Sequence, residues 1–344
     1  MTVKITRPSI DIRGTLDELN KPSGIAGNAM LAAETPQEQF NLIGAGRKNL
    51  IINGGFDVWQ RGTSFTSVGG GYSADRFFQS VYGGATPNVT KVAGFGDFRN
   101  AIRYTGVNGG ASEQLELEHR IEGGNLPQTG MLTLSYWIRG SKAGSFRSGR
   151  LINQGTGATN TGYGYIEVGT DWSRVTVTFS ALAATDAQYY RLFWADALLS
   201  YMSDDSVWLE MTGIQLEAGS VATPFEHRSY GEELALCQRY FTVLANEINR
   251  GICVAAVWAS GSSYGYVPFP TEMRITPSII FGDVTGFRIF AGGNAPYVTN
   301  VASTNETNRH RAELLFSHSG LTVGQAAFIR MTSATHLYAD ADLY

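Results

Sequence analysis

Cysteine is almost missing from this 344-residue chain, with only Cys237 and Cys253 present. Two thiols close at most one bridge, which excludes a disulfide-built scaffold; two buried free thiols is the other reading. Charge is scarce too: Asp, Glu, Lys and Arg make up 16%, and no Lys follows Lys142. The formal net charge is −4 and the arginines are scattered, so the chain lacks the clustered basic face that displaces counterions from a nucleic acid. No apolar run approaches the roughly 20 residues of a membrane-spanning helix, which argues against membrane insertion. The opening MTVKITRPSI has no apolar core of signal-peptide type. The expectation is therefore a chain that is retained in the cytoplasm in which it is made or leaves it by another route, such as lysis.

Catalytic patterns are missing as well. The five histidines, His119, His227, His310, His318 and His336, form no HExxH motif, no CxxC occurs, and no GxSxG precedes a helix. Glu116 and Glu118 could project from one strand face at i, i+2. A glycosidase needs its two carboxyls opposed across a sugar, which spacing alone does not establish. No repeat of the kind that builds a β-helix is present.

What the chain does have is glycine (41), tyrosine (16) and phenylalanine (18), within a 43% hydrophobic composition. Glycine supplies the φ > 0 positions of tight turns, and aromatic and β-branched residues suit a half-buried pleated surface. Residues 1–48 are poor in aromatics, with Phe40 alone. They carry one helix signal, Thr35 and Glu38 as a capping box with Pro36 at the first helical position. Such an arm needs a partner surface to order it. From Asn49 to Arg228 strands take over. MLTLSYWI (131–138) alternates with Leu132, Leu134, Tyr136 and Ile138 on one face, and RVTVTFSA (174–181) places Val175, Val177 and Phe179 inward. Turns such as Gly69-Gly70-Gly71 separate the strands, and the pattern predicts an antiparallel β-sandwich with one wet face per sheet. Residues 229–242 read as a connecting helix, capped by Ser229 and Glu232, with Tyr230, Leu234, Cys237 and Phe241 on one stripe. Residues 243–344 return to short strands and read as a second, smaller β-sandwich.

Several stretches carry a resemblance. NLIINGGFDVWQRGTSF (49–65) with YSADRFF (72–78) resembles the opening of the jelly-roll domain shared by phage tail-fibre proteins and carbohydrate-binding modules. GIQLEAGSVATPFEHRSYGEELALCQRYF (213–241) is similar to the segment that closes that domain in fibres. FPTEMRITPSI (269–279) and GLTVGQAAFIR (320–330) resemble landmarks of a C-terminal fibre domain. GIAGNAMLAAETPQEQFNLIGAG (24–46) resembles an element found just upstream of fibre domains. The resemblance implies an all-β protein: an extended N-terminal anchoring arm (1–48), a jelly-roll domain (49–228), the connecting helix, and a C-terminal β-sandwich that forms a receptor-binding tip. It implies a virion tail adhesin, a homotrimer held to baseplate or tail proteins through its arm, that meets a host cell-surface glycan without catalysis. The alternatives are an architectural baseplate or tail subunit with no receptor contact and, more distantly, a polysaccharide-cleaving tailspike.

Sugars stack their apolar faces on aromatic rings while polar neighbours hold the hydroxyls. On that chemistry the candidate binding residues are Trp137, on the polar face of its strand, and Tyr163, Tyr165 and Trp172 in a Gly-rich stretch. Trp258, Tyr264, Tyr266 and Tyr297, in or beside loops of the last domain, form a second candidate set. For each ring the alternative is packing in the core or between subunits. No cofactor is expected. Jelly-roll modules often hold a structural calcium through an acidic residue after the NGxF element, where Asp57 stands here, but Thr212-Gly213 replaces the acidic residues usual on the closing strand.

Overall fold

The computed structural model describes residues 48–82, 86–106, 114–160, 164–182, 189–195, 201–202 and 206–343. The capping box at Thr35 and Glu38 and the ring of Tyr163 lie outside these residues.

The first unit runs through β1 (Ser64–Phe65), β2 (Gly71–Tyr72), β3 (Phe77–Tyr82), β4 (Asn88–Ala93), β5 (Asn100–Thr105), β6 (Gln114–Glu122) and β7 (Met131–Gly140). It continues with β8 (Gly144–Ser148), β9 (Arg150–Asn153), β10 (Gly164–Val168), β11 (Ser173–Ser180), β12 (Tyr189–Ala195) and β13 (Trp208–Ala218). One antiparallel sheet has the order β1-β4-β5-β13-β7-β11 and the other β2-β3-β6-β12-β9, while β8 and β10 form a ribbon. The chain crosses repeatedly between the two sheets, the jelly-roll sandwich. The predicted inward set of β7, Leu132, Leu134, Tyr136 and Ile138, is fully buried between the sheets. It faces Phe77, Leu117 and Trp194 from the opposite side.

One expectation needs correction. The polar face of β7 is not wet along its whole length, because Thr133 and Ser135 are buried. The segment after β13 folds back over them. Glu217 accepts from the Thr223 amide at 2.9 Å, Gln215 accepts from the Glu226 amide at 2.9 Å, and Arg174 donates to Ser135 Oγ at 3.1 Å. The register slip between Thr212 and Gln215 makes this possible. It is built on Gly213 at φ +64°, where an added Cβ would lie 2.4 Å from the Phe98 ring.

Helix α1 (Tyr230–Gln238) follows, and Ser229 and Glu232 form the reciprocal capping box that their spacing predicts. The helix is shorter than 229–242, and its stripe is only partly used. Cys237 is buried, Tyr230 is exposed, and Phe241 belongs to the next strand, where it pairs with Asp340. Cys237 and Cys253 are both free thiols.

The second unit holds β14 (Phe241–Ala245), β15 (Gly251–Ala259), β16 (Ser262–Pro268), β17 (Ser278–Phe281), β18 (Phe287–Phe290), β19 (Asn300–Ser303), β20 (Arg311–Ser317), β21 (Ala326–Met331) and β22 (Leu337–Asp340). A three-stranded sheet, β14-β22-β17, and a six-stranded sheet, β18-β21-β15-β16-β20-β19, enclose its own core around Phe287, Ile289, Leu314, Phe316 and Ile329. Residues 341–343 then run back onto the first unit. Tyr72 Oη donates to Leu343 O at 2.8 Å, Arg120 donates to the same carbonyl, and Asp342 receives Arg76 and Arg61. Nearby, Arg239 pairs with Glu122 at 3.2 Å.

Candidate functional site

On β3, β6 and β12 the strand period of two divides the residues cleanly. Phe77, Leu117, Ile121, Tyr190 and Leu192 enter the core. Phe78, Ser80 and Tyr82 of β3, Glu116, Glu118 and Arg120 of β6, and Tyr189, Arg191 and Phe193 of β12 take the opposite face. Register sets Phe78 and Phe193 beside Glu118, and Arg191 directly beside Arg120.

Two arginines side by side on a sheet repel each other, and Glu118 removes the conflict. Its Oε1 accepts from Ser80 Oγ at 2.9 Å and from Arg120 Nη2 at 3.0 Å, and its Oε2 accepts from Arg191 Nε. Arg191 Nη2 also donates to Ser80 Oγ at 3.1 Å. Glu116 accepts from Arg150 at 2.7 Å. The guanidinium planes lie on rings: Arg120 over Phe78 at 3.7 Å, Arg150 over Phe193 at 4.0 Å and Arg191 over Phe193 at 4.7 Å. Glu116 and Glu118 do share one strand face at i, i+2, and arginines hold both of them.

Above this network lies a cleft of about 590 Å³, lined by Phe78, Ser80, Tyr82, Arg120, Gln154, Tyr189 and Arg191. Gly69, Gly70 and Gly71 form one wall. Gly70 and Gly71 have φ of +111° and +130°, a backbone that other residues adopt with strain, so main chain alone bounds that side. Among the described residues no carboxylate lines the cleft, since Glu118 is fully buried beneath it. Its walls therefore offer ring surfaces (Tyr82 is half exposed) together with guanidinium, amide and hydroxyl groups.

Among the described residues, none of the candidate binding rings lines this cleft. Trp137 and Trp172 do come together, on the outer face of the other sheet, with Phe95 between them. Phe95 lies 5.1 Å from Trp137 and stacks on Trp172 at 5.5 Å. Arg139 lies over Trp172, and both Arg139 and Arg103 reach the buried Glu210 at 2.7 Å. These rings cover one another's faces. Tyr165 stands exposed on β10. Trp258, Tyr264 and Tyr266 lie on the outer face of the six-stranded sheet, where Arg311 covers Tyr266 at 4.5 Å. Tyr297 bridges to β18 under Arg288 at 4.0 Å.

The cleft residues Phe78, Tyr82 and Tyr189 were missed, although a signal existed. In FFQSVY, Phe78, Ser80 and Tyr82 fall out of phase with the core residue Phe77. Asp57 accepts from Asn100 Nδ2 at 2.7 Å, and Thr212 Oγ1 donates to Asn100 O at 2.7 Å. A lone carboxylate facing an amide donor does not fit a calcium ion, which wants six or more oxygens. Among the described residues no group of three or more His, Cys, Asp or Glu could hold a metal ion.

No family model matches the chain. No curated protein matches it either. Similar solved structures include a putative sugar-binding protein from Bacteroides thetaiotaomicron, at 13% identity over 50% of this chain and 100% of that one, TM-score 0.32. TmCBM61 in complex with beta-1,4-galactotriose is similar at 14% identity over 50% of this chain and 99% of that one, TM-score 0.32. The enzymatically active domain of tailspike protein 4 from bacteriophage CBA120 is similar at 10% identity over 50% of this chain and 21% of that one, TM-score 0.34. At such scores these likenesses decide nothing about what this chain binds.

Proposed function

We propose that this chain is a non-catalytic, glycan-binding adhesin of a phage tail and that the cleft over β3, β6 and β12 holds the saccharide. The observation that carries the proposal is the cleft's chemistry. The half-exposed ring of Tyr82, suited to the apolar side of a sugar, stands beside arginine and amide donors suited to its hydroxyls. The carboxylates beneath are already engaged by arginines, which leaves them poorly placed for proton transfer. In this reading the arm 1–48 attaches the protein to the baseplate or tail, and the homotrimer implied by the resemblance multiplies a weak single-site affinity.

The test is binding of the purified full chain to a panel of neutral and acidic oligosaccharides, with Tyr82→Ala and Arg191→Ala beside it. Losing one stacking ring, about 0.5–1.5 kcal/mol, corresponds to a roughly two- to tenfold weaker Kd. Saccharide binding that both variants leave untouched would place the site elsewhere. Breakdown of any panel member would end the non-catalytic reading.

A second reading, an architectural tail subunit, draws on one observation: the outer sheet face of the second unit exposes Val254, Trp258 and Phe328 beside Ala256 and Ala326.

A further inference from the structure

The outer face of the β18-β21-β15-β16-β20-β19 sheet shows water what a core would bury. Val254 is 75% exposed, Trp258 74%, Tyr297 55%, Tyr266 46% and Phe328 40%. Register makes the surface continuous. Phe290, Phe328 and Val254 lie in one row across three strands, and the two phenylalanine rings stack at 4.8 Å. Ala326, Ala256 and Tyr264 form the next row.

We propose that this face is where copies of the chain pack against one another. The proposal deepens the oligomeric part of the function proposed above and does not depend on what the cleft binds. Three observations support it. First, the middle of the face has no side-chain hydrogen-bonding group at Val254, Ala256, Ala326 or Phe328, and its backbone groups are engaged in the sheet ladder. A sugar's hydroxyls would go unanswered there, whereas a flat apolar partner would not. Second, with about 150–250 Å² per large ring, the exposed parts of the five side chains above amount to roughly 600 Å². That reaches the upper limit of the patches monomers normally show and most of the ~800 Å² per partner of a standard interface. Third, the positive charges of the face lie at one end, at Arg288, Arg330 and Arg311, while Glu313, beside Tyr266, is 7% exposed and already accepts from Thr304 Oγ1. A second copy therefore meets no exposed charge at Val254, Ala256, Ala326 and Phe328 and is not forced to bury like charges against each other there.

The experiment uses the full chain with Val254→Cys and, as a control, Val323→Cys, an exposed position (56%) in the loop before β21. Both are treated with a short bis-maleimide beside the wild type, whose own thiols set the background. The expected result is a covalent oligomer from Val254→Cys well above the Val323→Cys and wild-type levels. Sedimentation should give a wild-type mass above the monomer, and Val254→Lys should weaken the association at least tenfold. Because Val254 is three-quarters exposed within one chain, these substitutions leave the fold intact. A monomeric wild type, or Val254→Cys cross-linking no better than the control, overturns the proposal. Saccharide binding measured on the same variants keeps the two readings apart, since a lost oligomer with retained binding concerns this face alone.

Discussion

Asp342 is the place where one carboxylate of the second unit meets two arginines of the first. Its side chain is fully buried, it receives Arg76, itself 1% exposed, and it receives Arg61 at 2.5 Å. Arg76 also lies over Tyr240 at 3.5 Å and donates to the Arg120 carbonyl. Burial, the largest single influence, lowers the pKa of Arg76, but Asp342 together with Tyr240, Tyr72 and Cys237 outweighs it and the value is raised. Asp342→Asn keeps the shape and removes the charge, leaving a buried guanidinium without its counter-charge. Breaking such a pair costs about 3–5 kcal/mol, while exposed pairs contribute about 0–1 kcal/mol. The internal control is Glu272→Ala, which removes the half-exposed Arg309–Glu272 pair at 2.7 Å. Urea unfolding followed by tryptophan fluorescence is the assay, because Trp59, Trp137, Trp172, Trp194 and Trp208 report the first unit and Trp258 the second. The expected result for Asp342→Asn is a loss of about 3 kcal/mol or more, taken first from the docking of the units, so that one transition divides into two. If Asp342→Asn costs no more than Glu272→Ala, the reasoning from burial is wrong.

Gly213→Ala puts a methyl against Phe98 at φ +64° and should cost about 1–3 kcal/mol in the same unfolding assay. Ser229→Ala removes the α1 cap and should cost about 1 kcal/mol. His119 is fully buried, and burial, with Arg76 and Arg228 adding to it, holds its pKa well below the usual 6.5. The stability tied to its neutral form is complete above pH 6.5 and falls by about 1.4 kcal/mol per unit as pH drops from there toward the folded-state value. Burial raises Asp75 and Glu233, which act with the opposite sign, favouring the folded state as they take up protons in the carboxylate range. Denaturation midpoints measured from pH 7 to pH 5 should decline, and His119→Gln should flatten that decline.

The strands and the capped helix are legible in the order of residues. A period of two and a capping box are local, and they need only neighbouring residues to be read. Leu132, Leu134, Tyr136 and Ile138 face the core as their alternation predicts, and Ser229 caps α1 as its spacing to Glu232 predicts. What the opposite faces do depends on strand pairing across the fold. Phe78, Arg120 and Tyr189 meet at one cleft because β3, β6 and β12 pair in one register, and no local pattern encodes a partner a hundred residues away. The same cause separated Trp137 and Trp172 from the cleft, stacked them with Phe95 on the other sheet, and buried Thr133 and Ser135 beneath a segment that returns after β13. Alternation states which side of a strand a residue takes; the pairing of distant strands settles what stands on that side with it.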